Sequence, residues 1–438
     1  MNVTFETPYL AKGRIEIPVA KYLPAYKENL KKLRQDVVVP GFRPGHVPIE
    51  YVRGRYGKET LEKILTREFF AQLEGLLGEE RLIGIPLYMR EPEEVKVEPP
   101  YGDYAYAFEA IVRPTEPPKL EGSLPPSYQY EAASGDMELF RRYIRMYLGQ
   151  KEPIEHLPSE LPTDKEVHVN LILSLPSGKS VAIGWVSFMA PFPYGYIEGR
   201  KVGDEVDLPP SHLAPYTEVI RAIAPDFSPL TIDKATLRIH SASLITPVSE
   251  EALDQTLSSE EQGEKAWNDL FNRTLNLLLN ELNTRTYQNG ILHAAGIEIP
   301  SRLLELNYLF YLEGRDPSEG HSPLSYEKYA RLFSWRVFME SHKGHIPDLE
   351  VPDEVIEADV WNKFKADLEA TEKGRELLAQ FSDTEAIKPI FMQTLSDQYK
   401  EDLRSSMQYE RFENWLVATY GPRPEKALPL QTILLAGL

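Results

Sequence analysis

The spacing of apolar residues changes along this 438-residue chain, and no other feature constrains its fold as strongly. Within residues 1–116, a strictly alternating stretch over 104–112 stands beside a stretch with helical spacing over 20–36. Residues 165–245 alternate as strands do, whereas residues 250–420 keep a helical period throughout. We therefore predict a multidomain α+β protein, in which an α+β domain is followed by a small β-rich module and an all-α domain.

Prolines mark the first boundary between these parts. Residues 114–127 contain five prolines, a composition typical of a semi-rigid, extended linker. In the helical region, the apolar pattern predicts two late helices over about 353–381 and 384–418. We predict four parts, which are residues 1–116, residues 117–160 (a linker and a connecting helix), residues 161–247 (the β-rich module) and residues 248–438 (the helical domain).

The composition excludes several classes of chemistry. The chain has no cysteine, which rules out a disulfide scaffold, a cysteine nucleophile and a thiolate metal site. The Gly-Lys-Ser stretch at 178–180 lacks the earlier glycine of a phosphate-binding loop, because Leu173 stands at that position. His342 and His345, which we predict to be exposed, supply too few ligands for zinc. We therefore assign no catalytic residue, no metal site and no cofactor.

The sequence shows neither a signal peptide nor a candidate membrane-spanning helix. Its first residues, MNVTFETPYLAKG, lack the charged segment and apolar run of a signal peptide. No apolar stretch approaches the roughly 18 residues that a membrane-spanning helix requires. We expect a soluble, cytoplasmic protein without a membrane partner.

Charge is distributed unevenly along the chain. The net charge of −19 argues by itself against an anionic partner. Residues 1–67, however, contain 13 basic and 7 acidic residues, a local charge of +6, whereas residues 250–438 have a net charge of −14. A basic front end can bind an anionic partner although the whole chain is acidic. Ordinary fluctuation of charge along a chain is the alternative interpretation.

The most informative stretch is residues 40–48, PGFRPGHVP. Its two glycines and three prolines predict a tight, exposed turn between two long helices. A rigid loop loses little entropy on docking, and aromatic and arginine side chains such as Phe42 and Arg43 are enriched at binding hot spots. Arg53 and Arg55 follow closely in the sequence. We interpret the stretch as a docking element; the alternative is that Phe42 folds back onto its own helices.

This stretch resembles the ribosome-docking signature of trigger factor, a family of bacterial chaperones that meet nascent chains at the ribosomal tunnel exit. The family pattern is Gly-Phe-Arg-x-Gly-Lys-x-Pro. His46 stands where the family usually has lysine, so the loop is less basic than usual. The resemblance is strong over residues 1–116 and moderate over 250–380, where Ile297–Pro300 resembles a junction of the family's helical domain. It implies that the ribosome-binding residues are Gly41, Phe42, Arg43, Pro44, Gly45, His46 and Pro48.

The middle module is similar to FKBP-like prolyl isomerases, the fold that this position normally has in the family. Residues 199–205, GRKVGDE, are similar to the Gly-x-Lys-x-Gly-Glu-Glu turn of those isomerases. Such enzymes hold the bond before proline in an apolar pocket of aromatic side chains. The candidate pocket residues here are Trp185, Phe188, Phe192, Tyr196 and Tyr216. Alternatively, these aromatic residues form the core of a small barrel. We interpret the module as a degenerate isomerase that keeps the fold and the binding of proline-rich peptides.

The resemblance implies an ATP-independent chaperone that docks at the tunnel exit and shields nascent polypeptides. Its partners would be a protein and rRNA of the ribosome, together with unfolded or nascent chains. A homodimer away from the ribosome is left open. Two alternatives remain at this stage, which are an active peptidyl-prolyl isomerase and a holdase or assembly factor that works without the ribosome.

Overall fold

The structure is a computed structural model, which describes residues 2–43, 45–78, 81–120, 122–175, 178–189, 194–230, 232, 234–257, 263–314, 322–346, 349–379 and 388–438. The chain divides into two compact units. The first unit combines Met1–Lys119 with Gly296–Trp415, and the second combines Leu120–Ala295 with Leu416–Leu438. Both units contain helices and a sheet, which confirms the predicted multidomain α+β class. The division of the chain into four parts stays a prediction.

Strands and helices follow one another from the first to the last described residues. The strands are β1 (Asn2–Thr7), β2 (Leu10–Ile17), β3 (Leu82–Glu91), β4 (Tyr104–Val112), β5 (Ser127–Glu131), β6 (Gln150–Ile154), β7 (Glu166–Ser174), β8 (Ser180–Val186), β9 (Glu205–Leu208), β10 (Ala235–Thr246) and β11 (Glu425–Pro429). The helices are α1 (Val19–Asp36), α2 (Ile49–Leu77), α3 (Asp136–Tyr147), α4 (Thr217–Arg221), α5 (Glu250–Leu257), α6 (Gly263–Ala294), α7 (Ser301–Glu313), α8 (Tyr326–Ser341), α9 (Asp353–Ala370), α10 (Glu372–Ala379), α11 (Lys388–Thr394), α12 (Asp397–Tyr420) and α13 (Leu430–Ala436). Among the described residues, no helix combines the length and the apolar character needed to cross a membrane.

The first unit begins with a four-stranded antiparallel sheet in the order β1-β2-β4-β3. Helices α1 and α2 share one apolar core with this sheet, to which Tyr22, Tyr26 and Phe69 contribute. Gly57 lies where α2 meets α1, and a Cβ atom there would stand 2.6 Å from the Tyr26 hydroxyl. The absence of a side chain at Gly57 therefore lets the two helices pack closely. Their packing fixes the ends of the loop that joins them.

The late helices of the first unit are shorter than the apolar pattern predicts. Helix α9 ends at Ala370, and the Gly374 N–H donates to Thr371 Oγ1 at 3.1 Å, which caps the start of α10. Similarly, the Tyr399 N–H donates to Ser396 Oγ at 3.1 Å at the start of α12. Local hydroxyl caps thus restart the helix where periodicity alone predicts continuity.

The environment of His342 differs from its predicted exposure. The side chain is 2% exposed and lies at the end of α8. Its ring centroid is 4.7 Å from that of Phe338, 5.4 Å from that of Phe412 and 5.2 Å from that of Trp415. The prediction was wrong for this histidine because residues of α12, distant in sequence, cover it. His345 is exposed, as predicted.

The second unit contains an antiparallel sheet in the order β6-β10-β7-β8, and β9 pairs with β10. Its core joins residues of this sheet to α3, α4, α6 and α13. Strand β11 runs parallel to β5, so that the end of the chain pairs with the proline-rich linker. The sheet, the linker strand and the C-terminal tail therefore belong to one folded body.

The C-terminal tail is packed rather than free. Ile433, Leu434 and Leu435 are buried in the core of the second unit. Gly184 on β8 lies directly against the last residue, because a Cβ atom at that position would stand 2.4 Å from Leu438 Cβ. The apolar end of the sequence thus completes the second unit.

Candidate functional site

The loop between α1 and α2, which we call the tip loop (residues 40–48), has a backbone held by its two glycines. Gly41 has a φ of 89° and Gly45 a φ of 80°, a region that residues with side chains rarely adopt. Two turn hydrogen bonds fold the chain, in which the Phe42 N–H donates to the Val39 carbonyl at 3.1 Å and the His46 N–H donates to the Arg43 carbonyl at 2.9 Å. These bonds fold the described backbone on both sides of position 44.

Apolar residues anchor the tip loop at both of its ends. Val39 is 9% exposed and Val47 is 1% exposed, and both belong to the core that α1 and α2 share with the four-stranded sheet. Pro48 directly precedes α2, and its carbonyl accepts the N–H of Val52 at 3.2 Å. Since the base is buried, the described residues between the anchors are held outward, and Phe42, Arg43 and His46 are exposed.

Apolar side chains are exposed at this end of the domain. Phe42 is 44% exposed, and its ring centroid lies 6.5 Å from that of Tyr51 in the first turn of α2. Tyr51 is also exposed, and Val38, beside the buried Val39, is 78% exposed. Phe42 thus retains a solvent-exposed face, and sequence reasoning missed Tyr51 and Val38. Three consecutive valines precede Pro40. The core buries only a part of this run, so the run itself was a signal for an exposed apolar side chain.

Basic side chains beside this surface are available to a partner. Arg43, His46 and Arg55 are exposed. Arg55 Nη1 donates to the Tyr51 hydroxyl at 3.3 Å, and among the described residues neither Arg43 nor Arg55 pairs with a carboxylate. Exposed aromatic and guanidinium groups with few internal partners are typical of a docking surface. The predicted residue Pro44 lies outside the described residues.

The aromatic residues predicted for the middle module occupy different environments. Trp185 and Tyr216 are completely buried in the core of the second unit, and burial raises the pKa of Tyr216. The Trp185 ring stacks on Tyr194 with centroids 5.6 Å apart. These contacts are those of core residues, as in the alternative interpretation of the sequence.

The other members of that set lie at the edge of the core. Phe188 is partly buried beneath the guanidinium of Arg142, at 4.7 Å from its ring centroid. Tyr196 is partly buried, and its ring centroid lies 5.5 Å from that of His212. Phe192 lies outside the described residues.

Comparisons with known proteins agree on one family. The family model described as bacterial trigger factor protein (TF) matches residues 1–137, which include the whole tip loop. The trigger factor of Mycobacterium avium (strain 104) is 28% identical over 160 residues, which are 35% of this chain and 33% of that protein. A trigger factor of Thermus thermophilus is 45% identical over 53 residues, which are 12% of this chain and 13% of that protein.

The matches to curated relatives thus span about a third of their length or less. A solved structure from work on "Promiscuous Substrate Recognition in Folding and Assembly Activities of the Trigger Factor Chaperone" covers 95% of this chain and 99% of its own. Its sequence identity is 18% and its TM-score is 0.34. The residues that the family model matches include the tip loop.

Proposed function

We propose that this protein is an ATP-independent chaperone which docks on the ribosome at the tunnel exit and shields nascent polypeptides. The proposal starts from the match of residues 1–137 to the family model described as bacterial trigger factor protein. The tip loop would be the docking element. The observation that carries the proposal is the exposed Phe42–Arg43 pair on a loop whose base is buried in the matched domain. The proposed site comprises the seven ribosome-binding residues that the sequence predicts between Gly41 and Pro48, together with Val38 and Tyr51.

The chemistry of the tip loop suits a ribosomal partner. Phe42 and Val38 would bury apolar surface against a ribosomal protein, at about 25 cal/mol per Å². Arg43 would form paired hydrogen bonds with a carboxylate or an rRNA phosphate. Contacts to RNA phosphates release counterions, so the affinity should fall as salt increases. A cytoplasmic location and a homodimer away from the ribosome complete this proposal.

The helical region of the first unit would supply the surface for clients. Leu309, Phe310 and Ile390 are exposed there. Tyrosines at the α7–α8 pair form a cluster with ring centroids 5.1–6.0 Å apart; its members are Tyr308, Tyr311, Tyr326 and Tyr329. Scattered apolar contacts of this kind would hold unfolded segments weakly and release them without a nucleotide. Residues 296–415, the helical part of the first unit, contain 14 basic and 24 acidic residues, and their net charge of −10 would keep this region away from RNA.

For the middle module we propose a structural role or peptide binding rather than catalysis. The support is that Trp185 and Tyr216 are completely buried and therefore out of reach of a substrate in the described structure. A proline-limited refolding assay would test this. We expect no dependence of the slow phase on catalytic amounts of the protein, and an acceleration that is lost in Tyr196→Ala would contradict the proposal.

Sedimentation with ribosomes tests the docking proposal. The double variant Phe42→Ala/Arg43→Ala should lose at least about tenfold in affinity, since two hot-spot side chains are removed. Phe5→Ala/Arg67→Ala is the matched control, because it removes an exposed aromatic and an exposed basic residue of the same domain. Equal sedimentation of wild type and the tip-loop variant would overturn the proposal. If neither sediments but both suppress aggregation, a ribosome-independent holdase is the better description.

A further inference from the structure

Helix α3 of the second unit carries three arginines that face one surface cavity. The cavity has a volume of about 480 Å³, and the arginines that line it are Arg141, Arg142 and Arg145. Three carboxylates also line it, those of Glu138, Glu166 and Glu250. The three positive and three negative formal charges balance. What the cavity can bind therefore depends on which guanidinium groups already pair with a carboxylate.

Arg142 pairs closely with one carboxylate of the cavity. Its Nε and Nη2 both donate to Glu166 Oε1, at 2.9 and 2.7 Å. The Ser187 hydroxyl donates to the other carboxylate oxygen at 2.6 Å, and Glu166 is 8% exposed. This pair therefore forms a fixed wall of the cavity and leaves the carboxylate of Glu166 satisfied.

Arg141 and Arg145 are also held in place, but they pair less closely with a carboxylate than Arg142 does. The guanidinium of Arg141 lies over the Trp267 ring at 4.9 Å from its centroid. Arg145 Nε donates to the Val248 carbonyl at 2.8 Å. Stacking and a single backbone hydrogen bond orient the two groups, and their terminal N–H groups donate no hydrogen bond to another described residue.

Glu250 is the acidic group that these two arginines share. Its oxygens lie 3.6 Å from Arg141 Nη1 and 3.9 Å from Arg145 Nη1, which are ion-pair distances beyond hydrogen bonding. The Glu250 side chain is 51% exposed. Glu138 makes no ion pair within the described ranges. Two preorganised guanidiniums thus face one loosely held carboxylate.

We propose that this cavity binds a carboxylate of an acidic peptide segment, between Arg141 and Arg145. Two guanidiniums provide the paired donors that a carboxylate accepts, and Met137 and Pro247 provide apolar surface for a flanking side chain. This apolar surface beside the guanidinium groups favours a peptide segment over an extended RNA. The inference rests on the proposed chaperone function in so far as the peptide is a client, and it gives the second unit a preference for acidic segments.

Glu250 then acts as an internal competitor of the bound carboxylate. The peptide must displace Glu250 from the same donors, so removal of that charge should increase affinity. A purely structural cluster predicts the opposite, because loss of Glu250 would weaken the cluster. The sign of the effect of Glu250→Gln therefore separates binding from structure.

Fluorescence anisotropy on the full-length protein tests the proposal. The probe is a labelled eight-residue peptide with two adjacent glutamates between leucines, compared with the same peptide carrying glutamines. We expect the glutamate peptide to bind at least fivefold more tightly and Arg141→Ala/Arg145→Ala to lose at least tenfold. Glu250→Gln should gain about threefold, and the exposed Arg273→Ala should bind as wild type does.

Several outcomes would overturn the proposal. They are equal binding of the two peptides, weaker binding by Glu250→Gln, or tighter binding of an oligouridine than of the glutamate peptide with the same dependence on Arg141. If the alanine variant is unfolded by circular dichroism, Arg141→Lys/Arg145→Lys replaces it, because lysine keeps the charge and loses the paired donors. Ribosome sedimentation of these variants should match wild type, so failure here is distinguishable from failure of the docking proposal.

Discussion

The side-chain amide of Asn307 forms two hydrogen bonds with the backbone of Ile85. The Ile85 N–H donates to Asn307 Oδ1 at 2.8 Å, and Asn307 Nδ2 donates to the Ile85 carbonyl at 3.1 Å. Asn307 is 4% exposed, and its Nδ2 also donates to the Leu303 carbonyl at 2.8 Å. The side-chain amide thus forms with β3 the hydrogen bonds that a neighbouring strand would otherwise form. It also joins helix α7 to the sheet within the first unit.

We expect Asn307→Ala to lower the free energy of unfolding of the first unit by roughly 1–3 kcal/mol, because a part-buried backbone N–H and carbonyl of Ile85 would lose their partners. Urea unfolding followed by fluorescence measures the change. The control is Asn362→Ala, which removes an exposed asparagine of the same unit. Equal unfolding midpoints for the two variants would show that the backbone of β3 finds other partners.

A second prediction concerns stability in acid. Burial and, to a smaller extent, the charge of Lys151 lower the pKa of His168 to about 4. Its Nε2 is buried and has no hydrogen-bond partner within the described part of the chain. Since the ordinary pKa is about 6.5, the unfolded chain binds more protons than the folded one between these values. The stability that neutral His168 contributes is therefore complete above about pH 6.5 and is lost as the pH falls toward 4.

The expected loss in the second unit is roughly 1–2 kcal/mol between pH 7 and pH 4.5, less than the full shift because the residue is partly exposed. Denaturant unfolding at the two pH values measures it. His168→Gln should reduce this pH dependence, whereas His156→Gln, which removes an exposed histidine, should leave it unchanged. The explanation fails if His168→Gln retains the whole dependence.

A third prediction concerns the C-terminal helix. Ile433 is completely buried, so Ile433→Ala should lower the free energy of unfolding of the second unit by about 3 kcal/mol through lost contacts and the cavity left behind. The neighbouring Thr432→Ala should change it by less than about 1 kcal/mol, because Thr432 is half-buried. Thermal unfolding compares the two variants. A tail that does not stabilise the unit would make them indistinguishable.

The local features of this protein could be predicted from its sequence. The helix over 20–36, the strand over 104–112 and the tip loop depend on periodicity, glycine and proline, which act within a few residues. The tip loop also matches the family pattern at Gly41, Phe42, Arg43, Gly45 and Pro48, and it departs from that pattern at His46. Its exposed Phe42 and Arg43 agree with that prediction, although their binding role stays a proposal.

Long-range partners could not be predicted in the same way. The pairing of β11 with β5 joins residues about 300 positions apart, and nothing in the local pattern of either segment names the other. Asn307 and Ile85 are 222 positions apart. The cavity beside α3 could not be predicted either. Three segments line it, since Glu166 and Glu250 lie on elements distant in sequence from the arginines. Periodicity predicts which elements form and leaves their partners undetermined.

Photo-crosslinking from the tip loop tests the central claim most directly. Benzoylphenylalanine would replace Phe42 in one variant and Phe5, an exposed aromatic residue of the same domain, in another. After irradiation with purified ribosomes, we predict crosslinks to a ribosomal component from the position of Phe42, fewer of them at high salt, and none above background from the position of Phe5. Equal crosslinking from both positions, or none from the tip loop, would contradict docking through this loop.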